Sequence, residues 1–302
     1  MAPSPKRAAA CFAVAVVVTG LAGCGGSGAS AAPPPKVATT PRQASAPGDH
    51  TVDVTVQGRV RTLSLHVPVR QVAGRPLILV YHGADDSAAH TEQTTDFASV
   101  SDSTGDLVAF MQGYQDTWNE GAGHTPAEQA HVNDVAFTDA AIARLETLVT
   151  FDHKRIVATG FSNGALMVEL LGCARAKTFA LVVPVEGELP VTVSARCKPA
   201  RSVNVYEIHG TADAAIPYGG GPFAGVGGGT TVLSAPASVA RWATLDRCAR
   251  IPTITHDPAA SITLTTFGGC SRNVRVTLRT IVGGVHQWGS NIGVIVAGHV
   301  PR

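Results

Sequence analysis

Ser162, Asp213 and His286 are the residues of this chain whose types and order best fit covalent chemistry. A serine hydroxyl is a weak nucleophile until a base takes its proton, and the base needs an acid to fix its tautomer. Ser162 lies in Gly160-Phe161-Ser162-Asn163-Gly164, after the apolar run Arg155–Thr159 and before the apolar stretch Ala165–Leu171. That placement predicts a strand, a strained turn that exposes the hydroxyl, and a helix. In a chain with 32 glycines the pentapeptide alone is weak, and its position gives it weight. Asp213 follows the run Val203–His209, and His286 follows Val274–Val282. His256 sits in a polar, proline-containing stretch and His299 near the terminus, so both suit the base less well. Singly, Asp213 reads as a turn or cap residue and His286 as a structural histidine. All three in order, each just past a strand, point to acyl transfer. The developing oxyanion needs two donors, assigned here to the backbone N–H groups of Asn163 and of Ala84, the latter after the strand Pro76–Tyr81.

These residues need a scaffold that gathers strand ends. Thr51–Val56 and Val60–Val69 alternate apolar and polar residues, as half-exposed strands do. Pro76–Tyr81, Leu107–Met111, Arg155–Thr159, Ala180–Val185 and Val203–His209 read as buried strands, followed by Ile262–Phe267 and Val274–Val282. Helical spacing is weak over Thr91–Ser101, strong over Val132–Val149, and present again at Ala237–Leu245. The alternation predicts an α/β fold, a mainly parallel sheet with helices on both faces. Ligands then bind beyond the carboxyl ends of the strands. Gly219–Gly229 is glycine-rich but lacks a Gly-Lys-Ser/Thr continuation, so it is expected as a mobile rim beside Asp213 rather than a phosphate cradle. Trp118 and Trp288 are expected to line the acyl or aryl pocket.

Several motifs occur in order across about residues 50–290: Tyr81-His82-Gly83, Tyr114 with Trp118-Asn119-Glu120-Gly121-Ala122-Gly123, Asn133-Asp134-Val135-Ala136-Phe137, the Ser162 pentapeptide, His209-Gly210-Thr211-Ala212-Asp213, and Gly283-Gly284-Val285-His286-Gln287-Trp288. With them the chain resembles the secreted feruloyl esterase and polyhydroxybutyrate depolymerase-like esterases, which include acetyl xylan esterases, within the α/β-hydrolase superfamily. The resemblance implies an α/β-hydrolase fold, a Ser162–Asp213–His286 triad, and oxyanion donors at Ala84 and Asn163. It departs from the family pattern at Asp85-Asp86 after His-Gly, at Val285 before the histidine, and at Gly289, where the family continues with proline. These departures bear on pocket shape and substrate. Cys173, Cys197, Cys248 and Cys270 allow three pairings. Proximity in sequence and the resemblance favour Cys173–Cys197 and Cys248–Cys270.

Composition narrows the alternatives. With 23 Lys+Arg against 22 Asp+Glu, no basic excess supports nucleic-acid binding. At 45% hydrophobic and net charge +1 the chain is not a disordered polymer, and 32 glycines with 19 prolines exclude a coiled coil. Lys6 and Arg7 precede the apolar run Ala8–Gly23, shorter than the ~20 residues of a bilayer-spanning helix and suited to a signal peptide. Leu21-Ala22-Gly23-Cys24 reads as a lipobox, with acylation at Cys24; the competing reading is cleavage after Ala29-Ser30-Ala31. The expected organisation is a signal peptide at 1–23, a polar tether at 24–48, and one esterase domain at 49–302. The partners expected are a small or polymeric ester and a membrane reached only through the lipid. No cofactor, metal or nucleic acid is expected, and the protein is expected to be an exported monomer. A rival reading is a non-catalytic, surface-anchored binding lipoprotein on the same fold.

Overall fold

The structure, a computed structural model, describes residues 46–122, 125–224 and 229–301. The expected signal peptide, Cys24 and nearly all of the tether lie outside the described residues. Within them, short apolar segments form the sheet: β1 (Gly48–Val56), β2 (Arg59–Val67), β3 (Leu77–Tyr81), β4 (Leu107–Met111), β5 (Ile156–Phe161), β6 (Leu181–Val185) and β7 (Asn204–Gly210). After a small hairpin, β8 (Gly221–Phe223) and β9 (Thr230–Val232), come β10 (Thr253–Asp257), β11 (Ile262–Phe267) and β12 (Val276–Ile281). The main sheet runs β1-β2-β4-β3-β5-β6-β7-β12-β11-β10. Its centre, from β4 to β12, is parallel, and antiparallel strands close both edges.

The helices are α1 (Ala88–Thr94), α2 (Phe97–Thr104), α3 (Pro126–Gln129), α4 (Asp134–Glu146), α5 (Asn163–Ala174), α6 (Val191–Arg196), α7 (Ala235–Leu245) and α8 (Ile292–His299). The period-two geometry of β3 sorts them into layers. Leu77, Leu79 and Tyr81 share one core with Phe137 of α4, Met167 and Leu171 of α5, and Trp242 of α7. Ile78 and Val80 share the other with Phe97 of α2 and Ile292 and Val296 of α8. The expected sheet covered on both faces is therefore present, and central strands such as β3 and β4 are buried along their whole length.

Three expectations about elements change. The single helix expected over Thr91–Ser101 is two, because the backbone turns extended at Thr95, just before Asp96. Its carboxylate accepts from the N–H groups of Gly293 and Val294 at the start of α8, at 2.6 and 3.3 Å. The glycine-rich stretch Gly219–Gly229 contains β8, which pairs with β9 just beyond it, Gly221 to Val232 and Phe223 to Thr230. The polar stretch around His256 is the fully exposed edge strand β10. No helix among the described residues is long and apolar enough to cross a membrane.

Candidate active site

The chain enters the parallel sheet at β3, crosses to β4 on one side and then to β5 on the other. That reversal opens a crevice beyond the carboxyl ends of β3 and β5. Ser162 follows β5 and caps α5 with φ 55° and ψ −120°, a conformation that costs a non-glycine residue roughly 1–3 kcal/mol. Glycine makes the turn feasible. A Cβ on Gly164 would lie within 2.2 Å of the Tyr81 carbonyl oxygen, and one on Gly160 within 2.3 Å of the Gly164 oxygen. The elbow is thus pressed against the end of β3, and Ser162 N–H donates to the Val185 carbonyl at 3.0 Å. Asn163 is the first residue of α5, so its N–H has no acceptor inside the helix and sits at the positive end of the helix dipole. Ala84, Ser162 and Asn163 border one small cavity of about 40 Å³, together with Glu120, Thr125, Leu166, Phe223 and Thr230.

Asp213 and His286 meet. The His286 Nδ1–H donates to Asp213 Oδ2 at 2.7 Å, which leaves Nε2 as the nitrogen free to act as base. The two loops are tied by backbone: Ala212 N–H donates to the Gly284 carbonyl at 2.8 Å, and Gly283 N–H to the Thr211 hydroxyl. The imidazole packs on Phe161, the residue before Ser162, with ring centroids 4.6 Å apart. Burial alone would raise the Asp213 carboxyl. Hydrogen bonds from His209 and His286, the charge of His286 and the Ile216 N–H outweigh it and hold the group far below the usual carboxylate range. Its other oxygen accepts from the N–H groups of Ala215 and Ile216 at 2.7 and 2.9 Å.

Around Asp213 lies a buried acidic layer that the sequence reading missed. His209 Nε2 is 3.2 Å from Asp213 Oδ2 and 3.4 Å from Glu186 Oε2, while its Nδ1 is 3.1 Å from Glu188 Oε1. Glu169 accepts from the Trp242 indole N–H at 2.6 Å. Burial pushes the carboxyls of Glu169 and Glu186 up to about 8 and that of Glu188 to about 11, and it holds Glu207 well above the ordinary range. At neutral pH these groups are carboxylic acids, which makes the crowding around the one ionised member, Asp213, tolerable. The available signal was Glu207 inside an otherwise apolar strand. Glu186, His209 and Asp213 also lie close enough to share an ion. Their hydrogen bonds to Gly210 N–H, the Ile216 carbonyl and His286 occupy the same atoms, so the arrangement reads as support for Asp213.

Trp118 differs from its expected role. It is wholly buried; its indole N–H donates to the His82 carbonyl and its backbone N–H to Asn163 Oδ1, both at 2.8 Å. It therefore ties the residue after β3 to the start of α5 and is closed to an open substrate pocket. His82 does similar work: Nε2 accepts from Gly113 N–H at 2.9 Å, so Nδ1–H donates to the Gly83 carbonyl at 2.6 Å. Trp288 stacks on Phe161 at 5.4 Å and meets Phe97 edge-on, behind the elbow and outside the cavity beside Ser162. The departures from the family pattern have local causes. Asp86 binds Ser87 N–H and His90 at the start of α1, Val285 is exposed, and Gly289 has φ +81°, which proline cannot adopt. Both favoured disulfides, Cys173–Cys197 and Cys248–Cys270, are present.

No protein-family profile matches the chain. It is 32% identical over 221 residues to feruloyl esterase B of Piromyces equi, covering 71% of this chain and 40% of that protein. It is 31% identical over 225 residues to a protein named as an esterase, NocK, of Nocardia uniformis subsp. tsuyamanensis, covering 69% of this chain and 65% of the other. The chain thus spans less than two thirds of either relative. Among solved structures, an acetyl xylan esterase from Aspergillus awamori superposes with a TM-score of 0.58 at 12% identity, over 74% of this chain and 88% of that one. Layered sheet, strained elbow and these likenesses together make the chain a homologue of feruloyl esterases built on the α/β-hydrolase fold.

Proposed function

We propose that the protein is a serine carboxylester hydrolase with Ser162 as nucleophile, His286 as base and Asp213 as the acid that orients it. The observation that carries this reading is the 2.7 Å bond from His286 to an ionised Asp213, on an imidazole packed against the residue preceding a strained Ser162. His286 Nε2 takes the Ser162 proton as Oγ adds to the ester carbonyl carbon. The N–H groups of Asn163 and Ala84 hold the tetrahedral oxyanion, each worth about 3 kcal/mol in comparable sites. The imidazolium, stabilised by Asp213, protonates the departing alcohol oxygen as the carbon–oxygen bond breaks. Water, deprotonated by the same Nε2, then releases the acid and restores Ser162. Since the base must be neutral, activity falls on acidification.

The substrate class follows the relatives' names: aryl-acyl or acetyl esters of plant polymers, with hydroxybutyryl esters as the remaining candidate. Two disulfides suit an exported protein. The sequence of the leader supports removal of residues 1–23 and lipidation at Cys24, which would tether a monomeric domain, residues 49–302, to a membrane surface. Hydrolysis of p-nitrophenyl acetate and methyl ferulate by the wild type and by Ser162→Ala tests the assignment. Turnover by the wild type and none by the variant is expected. Equal turnover by both removes Ser162 from the mechanism, and none by either favours the binding-lipoprotein reading.

A further inference from the structure

A buried carboxyl that the mechanism does not use stands in the wall of the cavity beside Ser162. Glu120 is 1% exposed, and its Oε2 is a buried oxygen with no hydrogen-bond partner among the described residues. Asn163, whose side-chain Oδ1 accepts from the Trp118 N–H, borders the same cavity. A buried polar atom without a partner is costly unless a ligand completes it.

We propose that Glu120 is the specificity-determining residue of the acyl subsite, its Oε2–H donating a hydrogen bond to an ether or hydroxyl oxygen on a short acyl group. The inference rests on the hydrolase reading above and deepens it to a substrate class: esters of short oxygen-substituted acids. Size supports the choice. A cavity of about 40 Å³ takes a few heavy atoms, given that one water needs roughly 10–15 Å³ measured this way. Chemistry supports it too. Burial, then the nearby Glu128, push the Glu120 carboxyl up to about 8, so at neutral pH it is a donor rather than an anion. The other charges around it among the described residues are Asp134, paired with Arg61 at 2.8 Å, and Arg196, which donates to the carbonyl of the adjoining Gly121. Among the described residues no cation bonds Oε2, so an acyl group bearing its own carboxylate is disfavoured there.

The test compares p-nitrophenyl methoxyacetate with p-nitrophenyl butanoate, acyl groups of equal chain length that differ by an oxygen for a methylene. Their kcat/KM ratio is compared across variants, so intrinsic reactivity cancels. Rates are counted per active site by titration with a fluorophosphonate, which discounts misfolded protein. Glu120→Leu is expected to lower the ratio about tenfold or more, whereas Glu120→Gln, which keeps a donor of the same size, holds it within about threefold. In the wild type the ratio falls as pH rises through about 8, where the donor is lost, and in Glu120→Gln it stays level. A ratio unmoved in Glu120→Leu, or one lost equally in Glu120→Gln with no change in pH profile, overturns the inference. Absence of fluorophosphonate labelling in the wild type overturns the hydrolase reading itself, so the two failures are distinguishable.

Discussion

At the scale of single residues, the site depends on which nitrogen of which histidine carries a proton. Asp213 fixes Nδ1–H of His286 toward itself. Asp213→Asn would offer an amide donor to a nitrogen that must donate, favouring the wrong tautomer. By comparison with other triads, kcat should fall on the order of 10⁴-fold with the fold intact, measured on p-nitrophenyl acetate beside a circular dichroism melt. Retention of more than a tenth of the activity would remove Asp213 from the orienting role. Trp118→Phe tests positioning. It keeps a six-membered aromatic ring but deletes the pyrrole ring with the N–H that holds the His82 carbonyl, and should cost about 2–4 kcal/mol of stability in urea titration. Ser162, Asp213 and His286 stand out in the sequence because each follows a strand, and the structure bonds the latter two to each other. The burial of Trp118 was not, because one aromatic flanked by polar residues gives no periodic signal of which way it faces. The acids Glu186 and Glu188 were invisible for a related reason: their tolerance depends on mutual protonation, which only proximity reveals.

At the scale of elements, the site depends on how closely β3, β5 and α5 approach. A methyl group at Gly164 has no room beside the Tyr81 and His82 carbonyls. Gly164→Ala should therefore destabilise the domain by about 1–3 kcal/mol and lower kcat more than it raises KM, read from steady-state kinetics and a thermal melt. An unchanged melt and kcat would show that the elbow is looser than described. Strands buried on both faces, such as Leu107–Met111, were legible to the residue because nothing polar interrupts them. The segment Thr91–Ser101 was legible as helical but not as two helices, since the break at Thr95 leads into Asp96, whose partner lies about two hundred residues away. The edge strand β10 lacks any buried face, so no alternation marked it. The short α8 is the reverse case, an apolar run whose helical state is set by docking against α2 and the sheet.

At the scale of the whole molecule, buried acids and disulfides set how stability responds to conditions. Glu120, Glu169 and Glu186 keep their protons up to about pH 8, whereas an unfolded chain releases them near 4.5. The folded state binds more protons in that interval, so stability falls as pH rises from about 5 to 8. Asp213 has the opposite sign, but its contribution is lost only in strong acid, below the interval; buried His82, its pKa lowered by burial, also opposes the trend, as one group against several carboxyls. Urea midpoints should therefore drop between pH 5 and 8, and Glu207→Gln should raise the midpoint more at pH 8 than at pH 5; a midpoint rising with pH would contradict this reading of the buried layer. Replacing Cys173 and Cys197 by alanine opens a loop of 24 residues' separation and should cost about 3 kcal/mol in the same titration. The claim on which everything else depends is that Ser162 is activated by His286. Intact-protein mass spectrometry after brief exposure to a fluorophosphonate reads it directly. One adduct, mapped to Ser162 and lost in both Ser162→Ala and His286→Ala, is the predicted result; no adduct on the folded wild type, or one that survives in His286→Ala at the same rate, would contradict it.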